Sequence, residues 1–264
     1  MENSKNCLSG KNSHPRDNQI KFIEEGHIYI IDGMLNKPIS VTTLIHKYFD
    51  QFDADKIIDK MMMNNNWINS KYYGKTKSQI KQDWEKNRDE SATAGTLLHK
   101  QIEEYININL IPDKSSKEFN LFLNFWDSLI GRNPDYHPFR TEWLIYDESV
   151  CVAGSIDFTM IDENNNIVIF DWKRSKEIKY NNKYQKGKEF LNHLDDCNYN
   201  HYQLQLNCYR HILETKYNLN VIGMFLVVCH PNNNDPIYIP VSRMTEEINN
   251  MWNQLKINLY TPTC

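Results

Sequence analysis

Three features of the sequence predict a mixed α/β fold. Apolar residues in the first half recur mainly at helical spacing. Three β-branched and aromatic runs follow in close succession, and the last third reads helix, two strands, helix. Hydrophobic residues make up 40% of the 264, enough for one sizeable core. One domain over 19–264 is therefore expected, with a hairpin and helical part (19–135) and an α/β core (136–264). Residues 1–18 read as a disordered polar tail.

Each element has its own signal. From Ile20 to Ile31 the run is strand-like and is broken by Glu24-Glu25-Gly26, which predicts a hairpin. Ser40 precedes VTTLIHKYF as an N-cap, and Asp53 to Met63 continues helically. Separate helices are expected over Thr76–Arg88 and Gly95–Ile108, the second from Leu98, Ile102, Tyr105 and Ile106 at helical spacing. Another runs from Ser116 to Ile130 and stops at Gly131-Arg132-Asn133-Pro134. FRTEWLIYD, VCVAGSIDFTMI and NIVIFDWK are the three strand runs. A polar insert, a helix over Tyr199–Lys216, the strands VIGMFLVVC and PIYIPV, and a helix over Thr245–Leu259 complete the chain.

Several classes are excluded. The longest apolar run, Met224 to Cys229, is far short of the ~20 residues of a membrane span, so no membrane association is expected. The first nineteen residues have neither a secretory h-region nor a mitochondrial presequence pattern. Six scattered cysteines without a C-x-x-C pair suggest a reduced intracellular compartment, cytoplasmic or nuclear. A net charge of −4 excludes a globally basic coat protein but permits a locally basic groove.

The chemistry concentrates around Asp157 and Asp171-Trp172-Lys173. Side chains alternate along a strand, so Asp171 and Lys173 share a face. Placing Asp157 opposite Asp171 centres the connection on Asn164, leaving a three-residue loop of Glu163-Asn164-Asn165. That register brings two carboxylates and an amine together. Neighbouring carboxylates repel unless a cation separates them, and oxygen ligation suits Mg²⁺ or Mn²⁺. An ammonium there orients or helps deprotonate water and neutralises a phosphate oxygen. The plain alternative is a pair of solvent-facing acids on an edge hairpin. Gly95, His99 and Glu103 share one helical face, where glycine admits close approach and imidazole can complete a metal shell. Glu142 offers a third carboxylate, and Gln205 and Tyr209 stand i, i+4 on the later helix.

Gly95-x-x-x-His99, Glu142, Gly154-x-x-Asp157, Asp171-x-Lys173 and Gln205-x-x-x-Tyr209 occur in the order of RecB-type nucleases of the PD-(D/E)XK superfamily. With the Ser40-Val-Thr-Thr block before a helix, the chain most resembles the mitochondrial genome maintenance exonuclease group and its viral and phage relatives, over Phe22 to Leu259. The resemblance implies a restriction-endonuclease-like mixed sheet flanked by helices, with a helical N-terminal half. It implies His99, Asp157, Asp171 and the Trp172 carbonyl as metal ligands, Lys173 as the catalytic lysine, Glu142 as a supporting acid, and Gln205 and Tyr209 as positioning groups. Ile156 stands where the superfamily name has proline, and Arg174 where relatives often carry threonine. Nothing matches the cysteine spacing of the iron–sulphur members, so no cluster is expected.

Substrate contacts are expected on two stretches. Lys173, Arg174, Lys176, Lys179, Lys183, Lys186 and Lys188 face only Glu177, with Tyr180 and Tyr184 interleaved. Lys71, Tyr72, Tyr73 and Lys75 repeat the mixture. Positive charge tracks a phosphate backbone, and aromatic rings stack on unpaired bases. A solvated insert is the alternative for each stretch. The expected partner is DNA, single-stranded or with free ends, and the expected function a metal-dependent exonuclease. A non-catalytic nucleic-acid-binding module or an RNA endonuclease on the same scaffold are the competing readings.

Overall fold

The computed structural model describes residues 7–112 and 115–260. The polar N-terminal stretch is not a disordered tail from residue 7 onward. A short helix α1 (Leu8–Lys11) and a 3₁₀ turn (Pro15–Gln19) lie against the molecule. The Asp17 carboxylate pairs with Arg140 at 2.7 Å and accepts from Trp143 Nε1 at 3.0 Å, while Arg16 sits 4.0 Å over the Tyr146 ring. This segment docks through charge and hydrogen bonds, which hydropathy does not register.

The hairpin forms as expected, with β1 (Ile20–Ile23) antiparallel to β2 (Ile28–Ile31). After β3 (Ile39–Ser40), Ser40 Oγ accepts from Thr43 N and starts α2 (Val41–His46). Asp53 caps α3 (Ala54–Met62) in the same way. The two helices expected over 76–108 are one, α4 (Lys77–Ile108). A Thr76–Gln79 capping box starts it, and Asn109, left-handed at φ 56°, ends it. Between them lies no proline, and Gly95 alone costs only about 1 kcal/mol relative to alanine. Helix α5 (Lys117–Arg132) follows.

The core begins with β4 (Tyr136–Asp147), β5 (Val152–Asp162) and β6 (Asn166–Lys173), successively antiparallel. Phe158 pairs with Phe170 and Ile161 with Ile167, the register inferred for the Asp157–Asp171 hairpin. Helix α6 (Asn198–Lys216) crosses over to β7 (Asn220–Val228), which lies parallel to β6. Strand β8 (Ile237–Pro240) is antiparallel to β7, and α7 (Thr245–Tyr260) closes the chain. The six-stranded sheet runs β3-β5-β6-β7-β8, with β4 also on β5. Helix, three antiparallel strands, crossover helix and parallel strand make this a restriction-endonuclease-like mixed sheet flanked by helices. No helix among the described residues is long and apolar enough to cross a membrane.

Alternation along β6 separates the two faces. Ile167 and Ile169 pack with α6 residues such as Leu206 and Tyr209, whereas Val168, Phe170 and Trp172 pack with Phe119, Phe122 and Phe125 of α5. Asp171 and Lys173 continue the first row, so the core pattern itself turns them toward α6.

Candidate active site

The end of β6 carries the charged cluster. Lys173 Nζ lies 2.7 Å from Asp171 Oδ2 and donates to Gln205 Oε1 at 3.3 Å. Gln205 Nε2 in turn donates to the Tyr209 hydroxyl at 2.9 Å. The i, i+4 pair on α6 therefore holds the lysine in place. Tyr209 is buried, and a Cβ at position 154 would come 2.6 Å from its ring. Glycine at 154 leaves the room that ring occupies against β5.

A second group adjoins the first. One ligand atom each from His99, Glu142 and Asp157 lies within 4.8 Å of the others. His99 Nδ1 is 3.5 Å from Glu142 Oε1 and 3.7 Å from Asp157 Oδ2, and its Nε2 is 3.0 Å from the Trp172 carbonyl. Asp157 Oδ2 accepts from Trp172 N at 2.8 Å. Helix α4 thus brings His99 to the hairpin where β5 and β6 separate. Glu142 lies well inside β4, and its backbone is left-handed at φ 42°. Such backbone on a non-glycine residue is strained and is frequent at functional sites.

Burial dominates the electrostatics. It pushes the Asp171 carboxyl up to about 6 against the pull of Lys173, with Asp157 adding to the rise. It pushes Asp157 up as well, opposed by His99. Burial disfavours a charged His99, but the Asp157 and Glu142 carboxylates outweigh it and raise the imidazole to about 9. Lys173 follows the same logic: burial opposes its charge and Asp171 and Asp157 more than restore it. The imidazolium and the ammonium supply the positive charge that three crowded carboxylates require.

These donors fit a hard divalent cation. Asp171 Oδ1 is buried without a hydrogen-bond donor, while Oδ2 lies 2.7 Å from Lys173 Nζ. A buried carboxylate oxygen left without a donor is costly, and a cation would satisfy it. Carboxylate and carbonyl oxygens suit hard divalent cations, and an imidazole widens the set toward softer first-row ions. The compact set is His99, Glu142 and Asp157, whereas Asp171 is engaged by Lys173. Glu142, expected as a supporting acid, is one of the three.

Of the expected substrate-binding residues, several are already engaged. Arg174 is paired with Glu118 at 2.7 Å, largely out of solvent. Lys186 meets Asp195 at 3.0 Å, Lys188 meets Asp50 at 2.8 Å and Lys75 meets Asp83 at 2.6 Å. Tyr180 lies 4.6 Å from the Tyr199 ring, Lys71 sits 4.8 Å over the Tyr72 ring, and the Tyr72 hydroxyl accepts from Trp84 Nε1. Lys176, Lys179, Lys183, Tyr73 and Tyr184 are exposed, Tyr184 at 94%. Gly95 lies one turn before His99, and a Cβ there would meet nothing within 4 Å.

Two neighbours were not foreseen. Ser155 Oγ donates to Glu142 Oε2 at 3.2 Å, and Lys173 Nζ lies 4.6 Å over the Tyr202 ring. Tyr202 stands three residues before Gln205 on the same helix face, so helical spacing held that signal. Ser155 carried none.

Fold and site together define a mixed α/β protein with a lysine-bearing acidic centre at the end of its central hairpin. No family model and no curated protein matches the chain. Among solved structures, a candidate exonuclease from Eubacterium rectale aligns at 12% identity with a TM-score of 0.38, over 63% of this chain and 65% of its own. The chain thus spans just under two-thirds of that relative. The protein SSO0001 aligns at 13% identity with a TM-score of 0.34, over 88% and 81%. Likenesses this distant carry no functional weight.

Proposed function

We propose that this chain is a divalent-metal-dependent deoxyribonuclease, most similar in kind to RecB-type PD-(D/E)XK exonucleases. It hydrolyses phosphodiesters of single-stranded or free-ended DNA to 5′-phosphate and 3′-hydroxyl products, in repair, recombination or replication. The observation that carries this reading is Lys173 held between Asp171 and Gln205, directly beside the His99–Glu142–Asp157 donor set.

His99, Glu142 and Asp157, with Asp171 and the Trp172 carbonyl at hand, would hold a divalent cation, which when bound would supply positive charge toward the phosphate and the departing oxygen. The chain's own residues do the rest. Lys173, an ammonium in this setting, neutralises a non-bridging phosphate oxygen and holds the attacking water through an N–H donor. The water oxygen bonds to phosphorus in line with the 3′ oxygen and gives up a proton to solvent, the P–O3′ bond breaks, and the 3′ oxygen takes a proton from solvent. Gln205 and Tyr209 keep the lysine from swinging out of line.

The test is cleavage of end-labelled single-stranded, duplex and circular DNA, with matched RNA, under defined metal. Mg²⁺ or Mn²⁺ should support cleavage of linear single strands and EDTA should abolish it. Ca²⁺, which prefers longer bonds and more ligands, should support binding with little turnover. Full activity in excess EDTA rules the reading out, and faster cleavage of RNA reassigns the substrate.

A further inference from the structure

A cavity of about 370 Å³ opens beside Lys173, walled by Thr42 and His46 from α2 and by Asn198, His201, Tyr202 and Gln205 from α6. Its size falls at the lower end of the range for small-molecule pockets. The polar groups of its two amides are already committed. Asn198 Nδ2 donates to the Glu177 carbonyl and its Oδ1 accepts from Lys179 N, while Gln205 is spent on Lys173 and Tyr209. Beside the Thr42 hydroxyl and the Lys173 ammonium, what the cavity offers is ring surface. Tyr202 contributes a phenol ring with the Lys173 ammonium 4.6 Å from its centroid. His201 is fixed by Asp196 at 2.9 Å and packs 4.1 Å from Phe49, and the His46 ring lies 5.8 Å from it. None of these lining residues is acidic.

We propose that this cavity receives one unpaired nucleobase of the strand being cut, next to the scissile phosphate, by stacking and without reading its identity. The inference rests on the nuclease reading above and deepens it. Rings accept any base because every base has a π-face, and the committed amides leave little hydrogen-bond readout. A base paired within a duplex cannot enter without leaving its stack. Preference for unpaired strands would therefore originate here, at a fixed position relative to the cut.

The test uses an end-labelled single strand carrying one abasic residue, moved along a series of otherwise identical oligonucleotides and partly digested with Mg²⁺. The expected product ladder has one weak position, cut about tenfold or more slowly, at a constant offset from the abasic residue. Tyr202→Ala and His46→Ala should each shrink that dip relative to neighbouring positions, whatever happens to the overall rate. An effect of Tyr202 exerted only through Lys173 would slow every position alike and leave the dip. A flat wild-type ladder, or a dip unchanged in both variants, overturns the base cavity and leaves the nuclease reading standing. No cleavage of the unmodified strand overturns both.

Discussion

In the proposed reaction, Lys173 is the residue on which the chemistry turns. Its ammonium is oriented by three groups on two elements: Asp171 on β6, and Gln205 and the Tyr202 ring on α6. Removing one such preorganised donor typically costs about 100- to 1,000-fold in turnover. Lys173→Ala is expected to lose at least about 100-fold in kcat while single-strand affinity, read by fluorescence anisotropy in Ca²⁺, changes only slightly, since one phosphate contact among many is lost. A wild-type rate would place bond cleavage elsewhere in the molecule. Sequence reading could find Asp171 and Lys173 because a strand fixes which residues share a face. It could not show that Asp171 faces the lysine while Glu142 joins His99 and Asp157, because that partition depends on the local twist of two strands and on a left-handed residue in β4.

At the scale of elements, the insert between β6 and α6 is held more firmly than its polarity suggests. Gly187 N bonds to Leu194 O, Asp196 N to Gln185 O and Lys188 N to Tyr48 O. Two of its lysines are already paired with Asp195 and Asp50, so charge along this segment is unequal in effect. Neutralising Lys179 and Lys183 should flatten the slope of log affinity against log salt on single strands by up to about 1.4, at roughly 0.7 per phosphate contact. Neutralising Lys186 and Lys188 should change it less. Tyr184→Ala should weaken single-strand binding with little change of slope, and duplex binding hardly at all. Wild-type affinity and slope in all three variants would move the strand path to Lys71 and its neighbours. Apart from the two-residue β3, the strands were legible as β-branched and aromatic runs, and the hairpin register from loop length. The continuity of α4 was not, because residues 85–93 of that helix are exposed and carry little periodic signal.

Over the whole molecule, a buried polar knot ties the sheet to the helices behind it. Asp147 at the end of β4 is 1% exposed; it accepts from Ser149 Oγ and from Trp252 Nε1 of α7 and pairs with Lys216 of α6 at 3.0 Å. Burial works against its charge, but the bonds from Ser149, Trp252 and Lys216 outweigh it and hold the carboxyl below the usual carboxylate range. A folded-state pKa below the unfolded value contributes stability above the unfolded pKa, about 3.9, and that contribution is lost as pH falls through the folded value. Asp147→Asn should therefore cost about 2 kcal/mol at pH 7 and progressively less below pH ~4. Melting temperatures of both proteins across that range check this, and a constant difference down to pH ~2 would assign the effect to packing alone. The docked N-terminal segment belongs to the same scale: Asp17 reaches Arg140 and Trp143 across more than a hundred residues, a pairing that no local pattern announces.

The left-handed backbone at Glu142 has a consequence that extends past the site. Only glycine adopts that conformation without a Cβ clash, so Glu142→Gly should be more stable than Glu142→Ala by about 1 kcal/mol, although both delete the same carboxylate. Urea denaturation of the two variants reads this directly, and equal midpoints would mean that the strand relaxes once the side chain is gone. In the genetic code, glutamate and glycine codons differ by a single base. A lineage selected for a sturdy sheet alone would find glycine within one step. The protein instead carries, at the cheapest available exit from strain, a side chain that reaches His99 and Ser155, as the proposed site requires.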